Sequence, residues 1–187
     1  AKCLGTMALK YGIRPFFSID AGPDKKNSEH SIAQVSQGGI RLPDKDYYFD
    51  EDKEEQRVAY KKTMALLLSL LEEDSTSVED EALLATVEKV YELEKNLAEA
   101  HMSKTENRDP HDTYNKMSIE DVTKNGDGGF DFGSYFQAAT GKTVDGKSSA
   151  MRFPCTFAAS LSVFARISLT LCLNQNCVHM QILEKSI

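Results

Sequence analysis

The sequence lacks the features that would place the chain on nucleic acid or across a membrane. Lysine and arginine total 22 against 29 acidic residues, the formal net charge is -7, and the basic residues form no dense run. A nucleic-acid surface needs clustered basic side chains. The most apolar stretch, residues 157–173, contains Arg166 and falls short of the roughly 20 apolar residues of a spanning helix. We expect no nucleic-acid partner, and membrane attachment only through a segment outside this sequence.

The common catalytic motifs are also missing. An H-E-x-x-H helix would place two imidazoles one turn apart with a glutamate base between them. That motif is absent because no histidine is followed by glutamate; the four are His30, His101, His111 and His179. His111, close to Asp109 and Asp112, fits a solvated turn. The "GDGG" at 126–129 lacks the Lys-Ser/Thr of a phosphate loop. The sequence predicts no catalytic, cofactor-binding or metal-binding residue.

Cysteine is scarce, and its distribution leaves the compartment open. The four cysteines are Cys3, Cys155, Cys172 and Cys177. An even count permits disulfides without requiring them, and no Asn-x-Ser/Thr glycosylation site occurs. Cys172, Cys177 and His179, with Cys155 upstream, offer four possible zinc ligands. Their spacing departs from the usual zinc fingers, so scattered thiols or a disulfide are the favoured interpretation.

The β-forming residues lie near the start of the chain. "IRPFFSID" at 13–20 and "HSIAQVSQ" at 30–37 predict a two-stranded ribbon, since turn-forming residues separate two β-rich runs. The loop from Gly22 to Ser28 would close this ribbon. Gly38 and Gly39 would then end the second strand.

Two long amphipathic helices are predicted next. The first runs from about Glu51 to Glu73, with Asp50 as N-cap. Its apolar stripe is Tyr60, Met64, Leu67, Leu68 and Leu71. The second follows Ser77 as N-cap and ends near Met102. Its apolar face carries Leu83, Val87, Val90, Tyr91, Leu97 and Ala98. Because the connection is short, the two helices should pack antiparallel.

Shorter elements complete a mainly α (α+β) fold. Residues 109–117 fit a helical turn, and Ser118 can cap a helix over 119–125. In "FDFGSYFQAAT", a helix would place Phe132, Tyr135 and Phe136 on one side.

Glu94 occupies an unexpected position in the second long helix. At about 100° per residue, it falls among Val87, Val90, Tyr91 and Ala98, on the face meant for burial. An unpaired ionised carboxylate is strongly destabilising there, so it needs donors or a raised pKa.

Three interpretations of Glu94 stay open from the residues alone. The helix face could lie at the rim, with the carboxylate in water. Arg108, shortly after the helix, could form a buried ion pair with it, since a guanidinium satisfies both oxygens. Metal binding with His101 is the weakest alternative, because seven helical residues separate the two backbones by about 10.5 Å.

Three segments together resemble the N-terminal part of the neprilysin-type zinc metallopeptidases. They are "RPFFSIDAGPDKKNSEHSIAQVSQGGIRLPDKDYYF", "ELEKNLAEAH" and "RDPHDTYNKMS", in this order and spacing. The most specific pieces are residues 42–48, "LPDKDYY", and 114–117, "YNKM". The family also includes endothelin-converting enzymes and bacterial oligopeptidases, and the resemblance covers about residues 4–144.

The resemblance implies an architectural role. In this family a mainly helical domain caps a thermolysin-like catalytic domain, and the cavity between them admits short peptides. The zinc ligands and general base belong to a later H-E-x-x-H helix and a downstream glutamate motif, so no catalytic residue is carried over. Zinc and an oligopeptide substrate are expected only for the full-length enzyme, extracellular or anchored outside the cytoplasm. Within "ELEK", Glu94 would then form a structural ion pair with the "RDP" segment.

The resemblance divides the chain into residues 1–148, a partial N-terminal cap domain, and residues 149–187, a divergent tail. It favours the N-terminal portion of a zinc endopeptidase, inactive as given. The alternatives are a stand-alone non-catalytic protein that binds peptides or a partner, and a partial product without a role.

Overall fold

The computed structural model describes residues 1–71, 78–125, 130–142 and 150–153. Its elements, in chain order, are α1 (Lys2–Tyr11), β1 (Phe17–Asp24), β2 (Asn27–Gln37), α2 (Asp46–Phe49), a 3-10 turn (Glu51–Lys53), α3 (Glu54–Ser69), α4 (Glu81–Glu99), a second 3-10 turn (Glu106–Arg108), β3 (Asn115–Ser118), α5 (Ile119–Asn125), α6 (Phe132–Thr140) and β4 (Ala150–Phe153). The predicted mainly α fold with a small β part is confirmed. Helix α1 was not predicted from the sequence.

The predicted ribbon is the antiparallel pair β1–β2. Ile19 lies opposite Val35, and the pairing continues to the tip, with an irregularity between Pro23 and Asp24. The connecting turn is therefore shorter than the predicted loop. The reason is local: the Asp24 carboxylate accepts the backbone N–H of Lys26 at 3.0 Å, which closes the turn without a longer loop.

Two short strands that the sequence did not reveal extend the sheet to the order β1-β2-β4-β3. Strand β4 runs parallel to β2, with Ala33 opposite Met151, and antiparallel to β3, with Met117 opposite Met151. The helical turn predicted over 109–117 is wrong for residues 115–117, which belong to β3. Four residues are the lower limit for an alternating pattern, so these strands are identified by their pairing.

Helices α3 and α4 pack antiparallel, as predicted. Tyr60 near the start of α3 reaches Glu94 near the end of α4, whereas Ala65 packs with Leu83 and Val87 from the start of α4. Helix α3 begins only after the 3-10 turn and ends at Ser69.

The predicted caps of the two long helices need correction. The side chain of Asp50 makes no cap hydrogen bond, because a 3-10 turn stands between it and α3. The N-cap of α4 is Asp80, whose side chain accepts the N–H of Ala82 at 2.8 Å. Ser77, the predicted N-cap, lies outside the described residues.

The predicted apolar stripe of α3 is partly wrong. Leu67 and Leu71 are 57% and 59% exposed, whereas Ala65 is 1% exposed. The small side chain of Ala65 packs with Leu83 and Val87 of α4, and Leu68 is partly buried against them. The contacting face is therefore turned away from Leu67 and Leu71 only. An exposed leucine row results, formed by Leu66, Leu67, Leu70 and Leu71.

The largest core cluster lies where the sheet meets α4, α5 and α6. Its buried residues are Phe17, Val35, Leu97, Ile119, Val122, Phe132 and Tyr135. The apolar side predicted for α6 is confirmed by buried Phe132 and Tyr135. The predicted cap of α5 is also confirmed, because the Ser118 hydroxyl accepts the N–H of Asp121 at 3.0 Å. This core and the α3–α4 pair position the polar clusters described next.

Candidate functional site

A buried carboxylate bound by two phenols is the most unusual polar group of the molecule. Glu94 is 7% exposed, on the core-facing side of α4. The Tyr48 hydroxyl donates to its Oε2 at 2.9 Å. The Tyr60 hydroxyl lies 2.9 Å from Oε1 and 2.8 Å from Oε2. One carboxylate therefore joins α2, α3 and α4, and we name Glu94, Tyr48 and Tyr60 the glutamate cluster.

Tyr48 extends this cluster to the segment that follows the ribbon. Its hydroxyl oxygen accepts the backbone N–H groups of Arg41 at 3.1 Å and Leu42 at 3.2 Å. Its ring stacks on Tyr91 with the centroids 5.8 Å apart. Both hydrogen bonds are partly buried, so Tyr48 helps to fix the chain path at residues 41–42.

The electrostatics of the cluster favour neutral groups. Burial raises the pKa of Glu94, and the hydrogen bonds from Tyr60 and Tyr48, together with the charge of Arg41, oppose this shift. Burial, then the nearby carboxylate, raises the pKa of Tyr60. The pKa of Tyr48 is raised mainly by burial as well. Both phenols therefore stay protonated and act as donors.

The structure overturns the partners predicted for Glu94. Arg108 is exposed in the second 3-10 turn, so the buried ion pair is wrong, and the low exposure of Glu94 also excludes the rim. The ring of His101 is turned to a backbone carbonyl instead: its Nε2–H donates to the Gly38 oxygen at 3.0 Å. Sequence reasoning missed both tyrosines as partners, although Tyr60 stood on the predicted stripe one helix away.

A second anchor surrounds His101 at the end of α4. Gln37 forms a pair of hydrogen bonds with the Met102 backbone, donating to its oxygen at 3.2 Å and accepting its N–H at 3.0 Å. Lys45 donates to the His101 backbone oxygen at 3.2 Å. Burial lowers the pKa of the His101 imidazole. These contacts tie the ribbon and the segment before α2 to α4.

A third anchor, at the tip of the ribbon, is built around Asp24. This carboxylate is 1% exposed and accepts hydrogen bonds from the Lys116 ammonium and the Tyr114 hydroxyl, each at 2.7 Å. These two bonds, with the Lys26 N–H, hold the pKa of Asp24 well below its usual range. The ribbon tip is thereby fastened to the segment that leads into β3.

We expect Asp24→Asn to destabilise the chain, because Lys116 loses its anionic partner. A depressed carboxyl pKa adds stability above the unfolded pKa near 3.8, and this contribution is lost as the pH falls through the folded pKa. The melting temperature of the variant should be about 3 °C or more lower at pH 7. Below pH 3.8 it should also fall less steeply with decreasing pH than that of the wild type. Thermal unfolding between pH 7 and pH 2 measures both effects.

Asp20→Asn is the matched control, since Asp20 lies in the same strand and pairs with Arg14 at 3.7 Å with both side chains largely exposed. Such a pair contributes about 0–1 kcal/mol, so this variant should follow the wild type. If the melting temperatures of Asp24→Asn and the wild type fall equally below pH 3.8, the anchoring role of Asp24 is contradicted.

The described residues offer no metal centre. No group of three or more His, Cys, Asp or Glu side chains among them could hold an ion, so zinc has no fitting site in this part of the chain. Cys155, Cys172, Cys177 and His179 lie outside the described residues, and Cys3 is exposed. His111 is exposed, and its backbone N–H donates to the Asp109 carboxylate at 2.7 Å. Both observations confirm a solvated turn. No helix in the described ranges is long and apolar enough to cross a membrane.

Comparison with known proteins gives concordant results. The N-terminal model of peptidase family M13 matches residues 1–166. Human neprilysin is 29% identical over 126 residues, which cover 66% of this chain and 17% of neprilysin. Human endothelin-converting enzyme 1 is 28% identical over 120 residues, covering 64% of this chain and 15% of that enzyme.

Solved structures show the same similarity. The inhibitor complex of the Mycobacterium tuberculosis zinc metalloprotease Zmp1 superposes with a TM-score of 0.76 and 26% identity, covering 89% of this chain and 24% of that one. The open state of the same enzyme, at 24% identity, shares the fold with a TM-score of 0.71. The chain thus spans less than a quarter of each relative's length.

Proposed function

The chain belongs to peptidase family M13, and from this membership we propose that it forms the mainly helical N-terminal portion of a zinc metallopeptidase that hydrolyses oligopeptides. Membership confirms the resemblance carried by "LPDKDYY" and "YNKM". The relation to zinc metallopeptidases rests on the superposition upon Zmp1, which is the observation that carries this proposal. The family match also reaches further along the chain than the motifs do, to residue 166.

The polar clusters support an architectural role. Glu94, Asp24 and His101 are each satisfied by hydrogen bonds from within the fold, so their contacts hold segments together. The described residues provide no set of ligands for zinc. When bound in the complete enzyme, zinc would polarise a water for attack on the peptide carbonyl. We assign no step of that chemistry to the described residues.

Substrate and location are part of the same proposal. By likeness to neprilysin and endothelin-converting enzyme 1, we propose oligopeptides as substrates, taken only when a catalytic domain is present. By the same likeness, the protein would act outside the cytoplasm, either secreted or anchored by a segment beyond residues 1–187.

The exposed leucine row supports a second candidate function, a non-catalytic protein that binds a partner. Leu66, Leu67, Leu70 and Leu71 are each at least half exposed, and contiguous exposed apolar side chains mark interaction surfaces. A partner protein would cover this row in place of further helices of a peptidase.

A peptidase assay tests the proposal on the purified chain. With an internally quenched oligopeptide, we expect hydrolysis at the buffer rate, unchanged by a zinc chelator, because the described residues hold no site for the metal. A zinc peptidase of this family should serve as the positive control. Chelator-sensitive cleavage by the chain alone would overturn the proposal that zinc and the catalytic residues belong to a separate catalytic domain.

Genomic and transcript sequence downstream of residue 187 separates the two candidate functions. We expect an in-frame H-E-x-x-H, the helix that would carry zinc and the general base. Independent transcripts that all stop after this chain would instead favour the partner-binding function.

A further inference from the structure

The Glu94 carboxylate is held by hydroxyl groups instead of a cation. Its hydrogen-bond donors in the described part of the chain are Tyr48 and Tyr60, while Arg41 acts on it through charge only. A buried carboxylate with a guanidinium partner would be fixed in its ionised form. A carboxylate held by phenols can be satisfied as either the ion or the acid, because a hydroxyl both donates and accepts.

The two phenols are not equivalent. The Tyr48 oxygen already accepts two backbone N–H groups, from Arg41 and Leu42, so both its lone pairs are used and its proton must go to Glu94. Tyr60 receives no hydrogen bond from any donor in the described ranges, and its oxygen lies within 2.9 Å of both carboxylate oxygens. Tyr60 can therefore donate to the carboxylate or accept from the carboxylic acid.

We propose that Glu94 and Tyr60 form a proton-controlled latch between α4 and α3, which closes more tightly when Glu94 takes up a proton in mild acid. In the ionised state Tyr60 donates to Glu94. In the protonated state the Glu94 hydroxyl donates to the Tyr60 oxygen, while Tyr48 still donates to the other carboxyl oxygen. Both states keep the helices joined, but the neutral state avoids burying a charge.

The groups around Glu94 favour tighter closure of the latch in acid. The charged or titratable groups around Glu94 are Arg41 before α2, Tyr48 on α2, Tyr60 on α3 and Tyr91 on α4, with the Lys61–Glu88 ion pair beyond the Tyr91 ring. Burial outweighs the stabilising effect of Arg41 and the tyrosines, and it raises the pKa of Glu94 above 4.5. Between pH 4.5 and the raised pKa of Glu94, the folded chain therefore binds more protons than the unfolded chain. The contribution of Glu94 to the free energy of unfolding then falls as the pH rises through that raised pKa.

A carbon-detected NMR titration of the Glu94 side-chain carboxyl in the full chain tests the latch directly. We expect a midpoint above 4.5 in the wild type. In Tyr60→Phe the midpoint should move higher still, because the carboxylate loses a donor that favours its ionised form. A wild-type midpoint at or below 4.5, or one that Tyr60→Phe leaves unchanged, would overturn the proposal.

Thermal unfolding provides an independent readout. Between pH 7.5 and pH 4.5, the melting temperature of the wild type should rise relative to that of Glu94→Gln, because glutamine cannot take up a proton. Glu88→Gln is the matched control on the same helix, since Glu88 is exposed in its ion pair with Lys61, and its profile should parallel the wild type. His101 is present in every variant, so the difference between two profiles reports on the substituted residue. Parallel profiles for Glu94→Gln and the wild type would contradict the latch, whatever the fate of the peptidase proposal.

Discussion

Gly39→Ala should remove about 3–5 kcal/mol from the free energy of unfolding, through two costs that add. Gly39 has φ +87°, where an L side chain is strained. A Cβ there would also lie 2.6 Å from the Pro15 oxygen and 2.9 Å from the Phe16 Cα. Both atoms belong to the backbone entering β1, so neither can turn aside. Urea denaturation followed by circular dichroism measures the loss.

Gly12→Ala separates the two costs. Gly12 also has positive φ, +67°, but a Cβ there meets nothing within 4 Å. This control carries only the backbone strain, about 1–2 kcal/mol. If Gly39→Ala costs no more than Gly12→Ala, the close approach of the ribbon to the Gly39 backbone is not part of the native fold.

The behaviour of Gly39 explains why the sequence predicted the ribbon but not its setting. The pair "GG" correctly marked the end of the second strand. Its second glycine is required because the segment folds back against Pro15, Phe16 and Leu97, which are distant in sequence. Local patterns report local conformation, so tertiary close approaches of this kind cannot be read from them.

The same limit explains the partial success with Glu94. Helical periodicity correctly placed its carboxylate in the core, because burial follows from the face of a single helix. The choice of partner depended on how α2 and α3 pack on that face. Arginine was the stronger donor by chemistry, but Arg108 lies in a turn whose side chains face water. The tyrosines were already in place at the helix interface, where their rings also pack.

The clusters make opposite contributions to acid stability. The contribution of Glu94 to the free energy of unfolding increases as the pH falls toward 4.5, because its pKa is raised in the folded chain. Asp24 loses stability only once pH falls below about 3.8, because its pKa is depressed. His101, with a lowered pKa, loses stability as pH falls below 6.5. In mild acid the effects of Glu94 and His101 therefore oppose each other, whereas the contribution of Asp24 changes only at lower pH.

Gly5→Ala should cost about 2–4 kcal/mol, although alanine is the better helix former by about 1 kcal/mol. Gly5 lies at the crossing of α1 and α6, where a Cβ would clash with the backbone carbonyl oxygen of Tyr135 and would sit 2.9 Å from the Ala138 Cβ. Helix α1 must therefore move away from α6 and lose part of its packing against the core. Hydrogen exchange should show faster exchange in α1 while α3 and α4 stay protected.

Gly133→Ala is the control for Gly5→Ala, because its effect on the free energy of unfolding should be near zero or of opposite sign. Gly133 lies within α6, and its Cβ would approach only the Asp131 carboxylate oxygen, at 3.2 Å. Helix propensity should then dominate, with little loss or a small gain. Because propensity favours alanine at both positions, any destabilisation confined to Gly5→Ala must come from the helix crossing. A Gly5→Ala chain as stable as Gly133→Ala, with α1 still protected, would mean that α1 does not pack on α6 at this distance.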